Sequence, residues 1–415
     1  MSSAADLAKA AFAALERGDS DAPAKFDKAI EADPQNGSLI LGEAEALMIA
    51  GVEAPAERLS ATLERFPQWA DGQRALAALL WELGSTSDYA ASFKSAIRDH
   101  PGNAELWNAY LQTLAGVGDH AAAAAAAAEA RRYFNDPVLT LIEANNRGMV
   151  GEHDAVETLL ATVPPSRGRD EVEVRHRIRL GEWYAARELV DRLVSAPEAD
   201  VGSWALAEVV WRKTLDSRWQ WLAGAPEFIA KRGLPYSADE VDALAATLEA
   251  LHSHRRQPIG QSVRGGTQTR GRLLDRQDEV LARLRKRLEE AVDDYRQKLP
   301  APDPKHPLLR HRDRALKIEG SWSVRLSSAG FHVPHFHFAG VLSSAFYVRV
   351  PKLDRSIQEG WLELGRPPPD LQMDLEPLAT IEPEPGSLVL FPSYLYHGTR
   401  PFSAGERLSV AFDVS

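Results

Sequence analysis

Three histidines near the carboxyl-terminal end of this 415-residue chain are the residues best suited to chemistry. His335 and His337 are separated by a single residue, so an extended strand would present both on the same face. His397 lies far downstream. Neutral imidazoles are common ligands of iron and other transition metals. We therefore predict that His335, His337 and His397 hold one metal ion and form the catalytic centre.

A basic residue follows the third histidine. Arg407 lies ten residues after His397, and alternation along a strand would place Ser409 beside it. A guanidinium binds a carboxylate through two parallel hydrogen bonds, and a serine hydroxyl adds another donor. Arg407 and Ser409 therefore predict a binding site for an anionic co-substrate next to the metal. The alternative is an exposed strand arginine that pairs with Glu406.

Three further residues are candidates for contact with the co-substrate. Tyr347 lies among apolar neighbours, where a buried phenol needs a hydrogen-bond partner, and Ser343 would share its strand face. Arg325 lies ten residues before His335 on what looks like the preceding strand. Core or surface roles would explain Arg325, Tyr347 and Ser343 equally well.

A polar, glycine-bearing segment at 261–269 is predicted to be a loop or an edge strand. Its hydrogen-bond donors could cover the mouth of the cavity and contact the substrate, since loops often carry function. A plain turn is the alternative. The candidate substrate-binding residues are Gln261, Arg264, Thr267 and Gln268.

Composition limits the classes of function. The net charge of −11 argues against a general nucleic-acid-binding protein, which would normally present a basic face. The chain has no cysteine, so disulfides, thiolate metal sites and cysteine nucleophiles are excluded. No apolar run is long enough to span a bilayer, and the amino-terminal segment lacks the apolar core of a signal peptide. We therefore expect no membrane association and a cytoplasmic location.

The first half of the chain is periodic. Five glycines recur at spacings of 33, 33, 34 and 33 residues, and prolines follow the same interval. This period resembles the tetratricopeptide repeat, in which each helix pair buries its apolar face against its neighbours. Such arrays have a concave surface, on which we predict a protein or peptide partner. The five glycines are Gly18, Gly51, Gly84, Gly118 and Gly151.

The second half changes character. A capping box at 237–240 opens a helix, and a second amphipathic helix covers 278–299. Short β-like runs separated by turn residues follow from 318 to the carboxyl terminus. The pattern predicts a tetratricopeptide-like helical domain at 1–225 and a second domain at 226–415. In that second domain, helices within 237–299 support a double-stranded β-helix, or jelly roll, at 318–415.

These motifs together resemble the 2-oxoglutarate- and Fe(II)-dependent oxygenases that follow tetratricopeptide repeats in bacteria. The resemblance covers roughly the whole chain. It implies a double-stranded β-helix, Fe(II), 2-oxoglutarate as co-substrate, O₂, and hydroxylation of a protein, a peptide or a small molecule. The motifs that carry it are His335–His337, 343–348, 385–393, His397-Gly398 and 407–412.

The match to the family's metal-binding pattern is incomplete. His335 and His397 match the first and last metal ligands, whereas His337 occupies the position of the usual aspartate. Either His337 is the third ligand, or it lies outside a pair of ligating histidines. Asp413 and Asp374 are alternative carboxylate ligands, although Asp413 is expected to lie too far from the metal. The odd offset of His332 from His335 is expected to turn it away from the metal.

Two other functions are compatible with this departure. A metal dioxygenase with three histidine ligands could oxidise its substrate without 2-oxoglutarate, and Arg407 would then bind a substrate carboxylate. Alternatively, the repeats could form an interaction scaffold whose oxygenase domain is inactive. The sequence leaves the substrate, the type of oxidation and the oligomeric state open.

Overall fold

The computed structural model describes residues 3–52, 54–84, 88–252 and 256–415. Helices form the first half of the molecule as a series of antiparallel pairs. The helices are α1 Ala4–Arg17, α2 Ala22–Ala32, α3 Gly37–Ile49, α4 Glu57–Arg65, α5 Ala70–Glu82, α6 Ala91–Asp99, α7 Ala104–Val117, α8 His120–Ala130, α9 Pro137–Met149, α10 His153–Thr162, α11 Arg167–Arg179, α12 Trp183–Ser195, α13 Val201–Lys213, α14 Arg218–Ala223, α15 Ala238–Glu249 and α16 Glu279–Lys298.

The glycine period marks the turn inside each helix pair. Gly18 and Gly118 cap α1 and α7 in the left-handed conformation, with φ of 69° and 85°. A side chain with a Cβ rarely adopts this conformation, so glycine ends the first helix of the pair at low cost. Gly181 continues the pattern after α11, with φ of 71°. The predicted helical repeat is confirmed and extends through α12.

In the described part of the second half, nine strands accompany α15 and α16. The capping box predicted at 237–240 is present at the start of α15, where Ser237 accepts a hydrogen bond from Glu240 N. The strands are β1 Ala230–Gly233, β2 Val263–Gln268, β3 Ile318–His335, β4 Leu342–Arg349, β5 Leu362–Leu364, β6 Ala379–Ile381, β7 Ser387–Pro392, β8 His397–Thr399 and β9 Arg407–Val414.

The strands form two antiparallel layers joined by β3. The first half of β3 pairs with β9, which pairs with β4, and β4 pairs in turn with β7 and β1. The second half of β3 pairs with β8, followed by β5 and β6. The chain therefore alternates between the layers as it proceeds, which is the topology of the predicted jelly roll.

The bend in β3 divides the two layers. Ala329 has a φ of 64° there, and Gly330 lies so close to the neighbouring β2 that a Cβ would come within 2.7 Å of the Gly265 carbonyl oxygen. A second irregularity lies between His332 and His335, where the register against β8 shifts. Such bulges change which face of a strand a side chain occupies.

The end of the helical array packs directly on the sheets. Buried apolar side chains form one continuous cluster from Val174 in α11 to Val414 in β9. Trp211 is buried within this cluster and Trp219 packs against it. A shared core crosses residue 225, so the division of the chain at that position stays a prediction.

A segment between α15 and α16, residues 256–276, also contacts the array. Gly260 N donates a hydrogen bond of 3.0 Å to Gly116 O at the end of α7. The guanidinium of Arg270 forms an ion pair with the buried carboxylate of Glu82 in α5. Within the described part of the chain, no helix is long and apolar enough to cross a membrane.

Candidate metal centre

The two layers bring the three predicted histidines together. His335 is the last residue of β3, and His397 is the first residue of β8, directly opposite it in the register. His337 follows two residues after β3 ends. The ring centroids are 4.2 Å apart for His335 and His397, 4.8 Å for His337 and His397, and 5.0 Å for His335 and His337. Strand pairing therefore converts distant sequence positions into one cluster.

The potential ligand atoms of these histidines lie within 4.8 Å of one another. The Nε2 atoms of His335 and His337 are 3.1 Å apart. Two nitrogens that each lie roughly 2.1 Å from a metal, at right angles, are about 3.0 Å from each other. The spacing of these two rings thus suits ligation of a single ion.

Hydrogen bonds on the outer side of the cluster set the ring tautomers. Nδ1 of His335 is 2.9 Å from the carbonyl oxygen of Val333, and Nδ1 of His397 is 3.0 Å from that of Leu395. A carbonyl oxygen only accepts, so each Nδ1 carries the proton and each Nε2 keeps its lone pair. A second hydrogen bond of this kind is typical of metal-ligating histidines.

Burial keeps these imidazoles neutral. Burial, reinforced by the neighbouring His337 ring, lowers the pKa of His335 to about 3. The same causes hold the pKa of His397 well below its usual range. A charged imidazole is costly in a low-dielectric cavity, especially beside other imidazoles. Both side chains are therefore available as metal ligands near neutral pH.

His337 has a different outer partner. Its Nδ1 is 2.5 Å from Oδ1 of Asp413, near the end of β9. Ser343 Oγ donates to the same carboxylate oxygen over 3.2 Å and lies 3.0 Å from Ser393 Oγ. Asp413 therefore contacts a candidate ligand instead of joining the group that could hold the ion. Asp374, the other carboxylate considered, is 92% exposed and lies near Arg366.

His332 does not turn away from the centre. Its ring stacks on that of His335 with a centroid separation of 5.9 Å. Ser262 Oγ lies 3.1 Å from Nδ1 of His332 and 3.2 Å from Nε2 of His335. His332 lies outside the group that could hold the ion, as expected, but it lines the cavity because the bulge between His332 and His335 changes the face of the strand.

The opposite end of the same cavity contains Arg407. This residue is 3% exposed, and its two Nη atoms donate to Gly360 O and Thr399 Oγ1, each over 2.9 Å. Burial lowers the pKa of Arg407. Glu406 pairs with Arg325 instead, at 2.6 Å, so the alternative of an exposed ion pair for Arg407 was wrong.

Two polar atoms at this end of the cavity have no hydrogen-bond partner within the described residues, namely Nε of Arg407 and the hydroxyl of Tyr347. The guanidinium lies over the Tyr347 ring, 5.5 Å from its centroid. Ser409 is directly opposite Tyr347 in the pairing of β9 with β4 and lines the same cavity. These atoms could bind an anion, because a buried donor without a partner is costly.

Three predicted site residues lie elsewhere. Arg325 borders a separate cleft with Glu406, because Trp322 and Val324, not Arg325, face the cavity from β3. Thr267 also borders that cleft and lies 2.8 Å from His252 Nδ1. Ser343 contacts the Asp413 side chain and does not line the co-substrate end.

The remaining predicted polar residues lie near the metal centre. Gln261 and Gln268 line both the cavity and a wider adjoining cleft, which Arg264 also lines. This cleft has a volume of about 710 Å³ and contains His335 and His337 in its wall. The inner cavity itself has about 50 Å³ of free volume. The wide cleft is thus the open route to the candidate ligands.

Several residues around the centre were not predicted from the sequence. Trp322 packs against His337 with a centroid separation of 5.4 Å. Thr399 accepts a hydrogen bond from Arg407, and Ser262 lies within hydrogen-bond distance of His335. Asp413 was expected to lie too far away to be a metal ligand, and it does lie outside the ligand group, but its contact with His337 was not predicted. Its position six residues after Arg407 places it on the same strand face, and β9 runs from the arginine toward the histidines.

The geometry brings three candidate metal ligands and a buried arginine into one cavity of the jelly roll, and the family comparison agrees with this arrangement. Residues 320–413 match the family described as "Putative 2OG-Fe(II) oxygenase", where 2OG is 2-oxoglutarate. This match confirms the resemblance inferred from the motifs over that part of the chain. A comparison with curated proteins found no match.

Solved structures show likeness at low identity. A prolyl-4-hydroxylase from Pseudomonas putida is 19% identical, covering 45% of this chain and 92% of that chain, with a TM-score of 0.30. HygX from Streptomyces hygroscopicus, with nickel, 2-oxoglutarate and hygromycin B bound, is 14% identical over 45% and 82%, with a TM-score of 0.30. A tetratricopeptide repeat protein from Parabacteroides merdae is 14% identical over 52% and 88%, with a TM-score of 0.37. The fold assignment rests on the strand pairing and helix pairs described above.

Proposed function

We propose that this protein is a 2-oxoglutarate- and Fe(II)-dependent dioxygenase. The observation that carries the proposal is one cavity with two chemically distinct ends. Three imidazoles converge at one end, and a buried arginine with no carboxylate partner among the described residues lies at the other. A keto acid with a second carboxylate matches both ends at once.

The donor set fits the proposed metal. His335, His337 and His397 offer three nitrogen atoms from one side, which leaves the other side for co-substrate and oxygen. Iron with 2-oxoglutarate and O₂ would supply the oxidation of a C–H bond, coupled to formation of succinate and CO₂. The protein's part is to hold these groups in place and to exclude water.

The anchor end fits the distal carboxylate of 2-oxoglutarate. Arg407 would use its unpartnered Nε, and Tyr347 its unpartnered hydroxyl, to bind that group. Ser409, across the strand pair from Tyr347, would add a third donor. The small free volume of the cavity implies that side chains at its mouth, such as Gln268, move when the co-substrate binds.

We propose that the substrate reaches the metal through the wide cleft. Its walls come from the helical array as well as the jelly roll, including Met149 and Arg175 on the array side. Phe338, which is 75% exposed, packs edge-on against Phe336 at the mouth. An exposed aromatic side chain beside a polar opening suits contact with a peptide or protein, so the array would present the substrate to the metal.

A reconstitution experiment tests the proposed function. Protein purified without chelators would be loaded anaerobically with Fe(II), and O₂ uptake and succinate would be measured with and without 2-oxoglutarate. We expect one iron per chain and O₂ uptake that requires 2-oxoglutarate, since 2OG oxygenases consume some co-substrate even without substrate. Protein that binds no stoichiometric iron would instead support an interaction scaffold with an inactive domain.

A second candidate function deserves the same assay because His337 replaces the usual carboxylate ligand. In that function, three histidines hold a metal that oxidises a chelating substrate directly, and Arg407 binds a substrate carboxylate. Calorimetric titration of the Fe(II)-loaded protein with 2-oxoglutarate separates the two. The absence of binding would exclude the co-substrate and favour this alternative.

A further inference from the structure

The three histidines of the proposed metal centre are neutral ligands and would not offset the positive charge of a divalent ion. Iron-binding sites of this type usually combine two histidines with one carboxylate, which offsets part of the charge of Fe(II). Here the third position is His337, a neutral ligand when its proton is on Nδ1. Three neutral imidazoles would leave both charges of a divalent ion uncompensated by protein ligands.

The carboxylate of Asp413 lies within hydrogen-bond distance of His337, on the side of the ring away from the proposed ion. Oδ1 of Asp413 is 2.5 Å from Nδ1 of His337, on the side of the ring opposite the Nε2 that faces His335. The side chains of Asp413 and His337 are only 16% and 14% exposed. Within the described residues, Asp413 forms no ion pair with a lysine or arginine. His337 is therefore the one side chain of a basic residue type that Asp413 contacts within the described residues.

The surrounding strands fix this carboxylate in position. Asp413 in β9 is directly opposite Ser343 in β4, and the Ser343 hydroxyl donates to the same Oδ1 atom over 3.2 Å. Ser343 Oγ is in turn 3.0 Å from Ser393 Oγ. A serine pair on neighbouring strands thus orients Asp413, and Asp413 orients His337.

We propose that Asp413 is the carboxylate of this metal centre, acting through His337 instead of binding the ion. The inference rests on the proposed metal site. A carboxylate that accepts the Nδ1 proton fixes the ring and makes Nε2 a stronger donor to the metal. In other sites a carboxylate binds the ion directly, whereas here the carboxylate of Asp413 contacts the ligand His337. Asp413 is accordingly a positioning residue.

Metal binding measures this role directly. Co(II) is the probe, because its visible absorption reports ligand geometry, and its affinity would be measured in competition with a chelator. We expect Asp413→Ala to weaken Co(II) binding by about 10–100-fold, the usual effect of losing such a partner. Asp413→Asn keeps an oxygen acceptor but no charge, so it should recover ring orientation and only part of the affinity.

Two controls separate this role from a loss of folding. Asp374→Asn removes an exposed carboxylate outside the centre and should leave Co(II) affinity unchanged. Ser343→Ala removes the hydroxyl that holds Asp413 and should weaken binding less than Asp413→Ala does. Thermal unfolding of each metal-free variant reports whether its fold is retained.

A double-mutant cycle gives the decisive result. His337→Asp would place a carboxylate directly on the metal and leave it beside Asp413. Two adjacent carboxylates repel, so in this background Asp413→Asn should strengthen Co(II) binding or leave it unchanged. The same substitution weakens binding when His337 is present. A purely structural role for Asp413 would give the same loss in both backgrounds and would overturn the proposal.

The outcomes distinguish this inference from the proposed function. If the unaltered protein binds one Co(II) and Asp413→Asn and Asp413→Ala bind it within twofold as tightly, the role of Asp413 is refuted while the metal site stands. If the unaltered protein binds no Co(II), the metal site and the inference both fail. Failure of 2-oxoglutarate to bind refutes only the proposed reaction.

Discussion

Two regions of the molecule that contain buried histidines use them differently. The imidazole of His306 is fully buried against the end of α14, and both of its nitrogens form hydrogen bonds with the protein backbone. Nε2 donates to Leu222 O over 3.1 Å, while Nδ1 accepts from Leu308 N and Leu309 N. In the metal centre, His335 and His397 bond to backbone carbonyls through Nδ1 only. The other nitrogen of each ring is directed at neighbouring imidazoles, from where it could bind a shared metal ion.

The arginines differ in the same way. Arg270, between the array and the jelly roll, is paired with the buried carboxylate of Glu82. Burial lowers the pKa of Arg270, but the ion pair outweighs that effect and raises it overall. Burial lowers the pKa of Arg407, and no carboxylate opposes it. A buried charge without an opposite charge beside it is costly, and the carboxylate of the proposed co-substrate would supply that charge for Arg407.

Removing a candidate metal ligand should have the largest effect on activity. His397→Ala should abolish Fe(II)-dependent succinate formation, a loss of more than about 100-fold, because removal of a ligand exceeds the effect of losing an outer partner. His100→Ala, between α6 and α7, is the matched control and should retain activity. Full turnover by His397→Ala would refute the ligand assignment.

Removing the unpaired arginine should have the next largest effect. Arg407→Met should weaken 2-oxoglutarate binding by about 10–100-fold, because hydrogen bonds to a charged group contribute about 1.5–3 kcal/mol. Co(II) affinity should stay nearly unchanged, since Arg407 is not in the group of residues that could hold the ion. Calorimetric titration measures both constants.

Arg325→Met provides the control for this prediction. Arg325 is opposite Leu408 in the pairing of β3 with β9, next to Arg407, but its partner is Glu406 and it faces another cleft. It should bind 2-oxoglutarate as the unaltered protein does. Equal losses in the two variants would show that the arginines act through general charge rather than as an anchor.

The repeat array was predictable from sequence because its signal is local. The 33–34-residue glycine period corresponds to turns in which each of those glycines has a positive φ. The metal centre was predictable in part, since alternation relates His335 to His337, and Arg407 to Ser409, over two residues. The family motifs supplied the pairing with His397.

What could not be predicted depends on strand register and direction. The bulge that brings His332 back toward the cavity has no distinct sequence signal, and neither does the pairing of Ser343 with Asp413. Asp413 was expected to lie too far away to ligate the metal, and it does lie outside the group that could hold the ion. Its hydrogen bond to His337 was not predicted, because that contact depends on where the strand end packs against the residues after β3.

The structural histidine should affect stability and leave the metal centre unchanged. His306→Gln cannot reproduce both sets of backbone hydrogen bonds, so a buried group loses its partner. The free energy of unfolding should fall by about 1–3 kcal/mol. Urea denaturation measures the change, and Co(II) affinity serves as the internal control. Weakened Co(II) binding in the folded variant would show that the two histidine regions are coupled.

The smallest expected effect is on the pH dependence of stability. Burial lowers the pKa of His306 below its usual 6.5. Below pH 6.5 the unfolded chain therefore binds a proton that the folded protein excludes, and stability falls as the pH falls toward the lowered pKa. His306 contributes at most about 1.4 kcal/mol per pH unit to this slope. Urea denaturation between pH 7.5 and 5 should give a shallower slope for His306→Gln, and an unchanged slope would mean that His306 becomes protonated without unfolding.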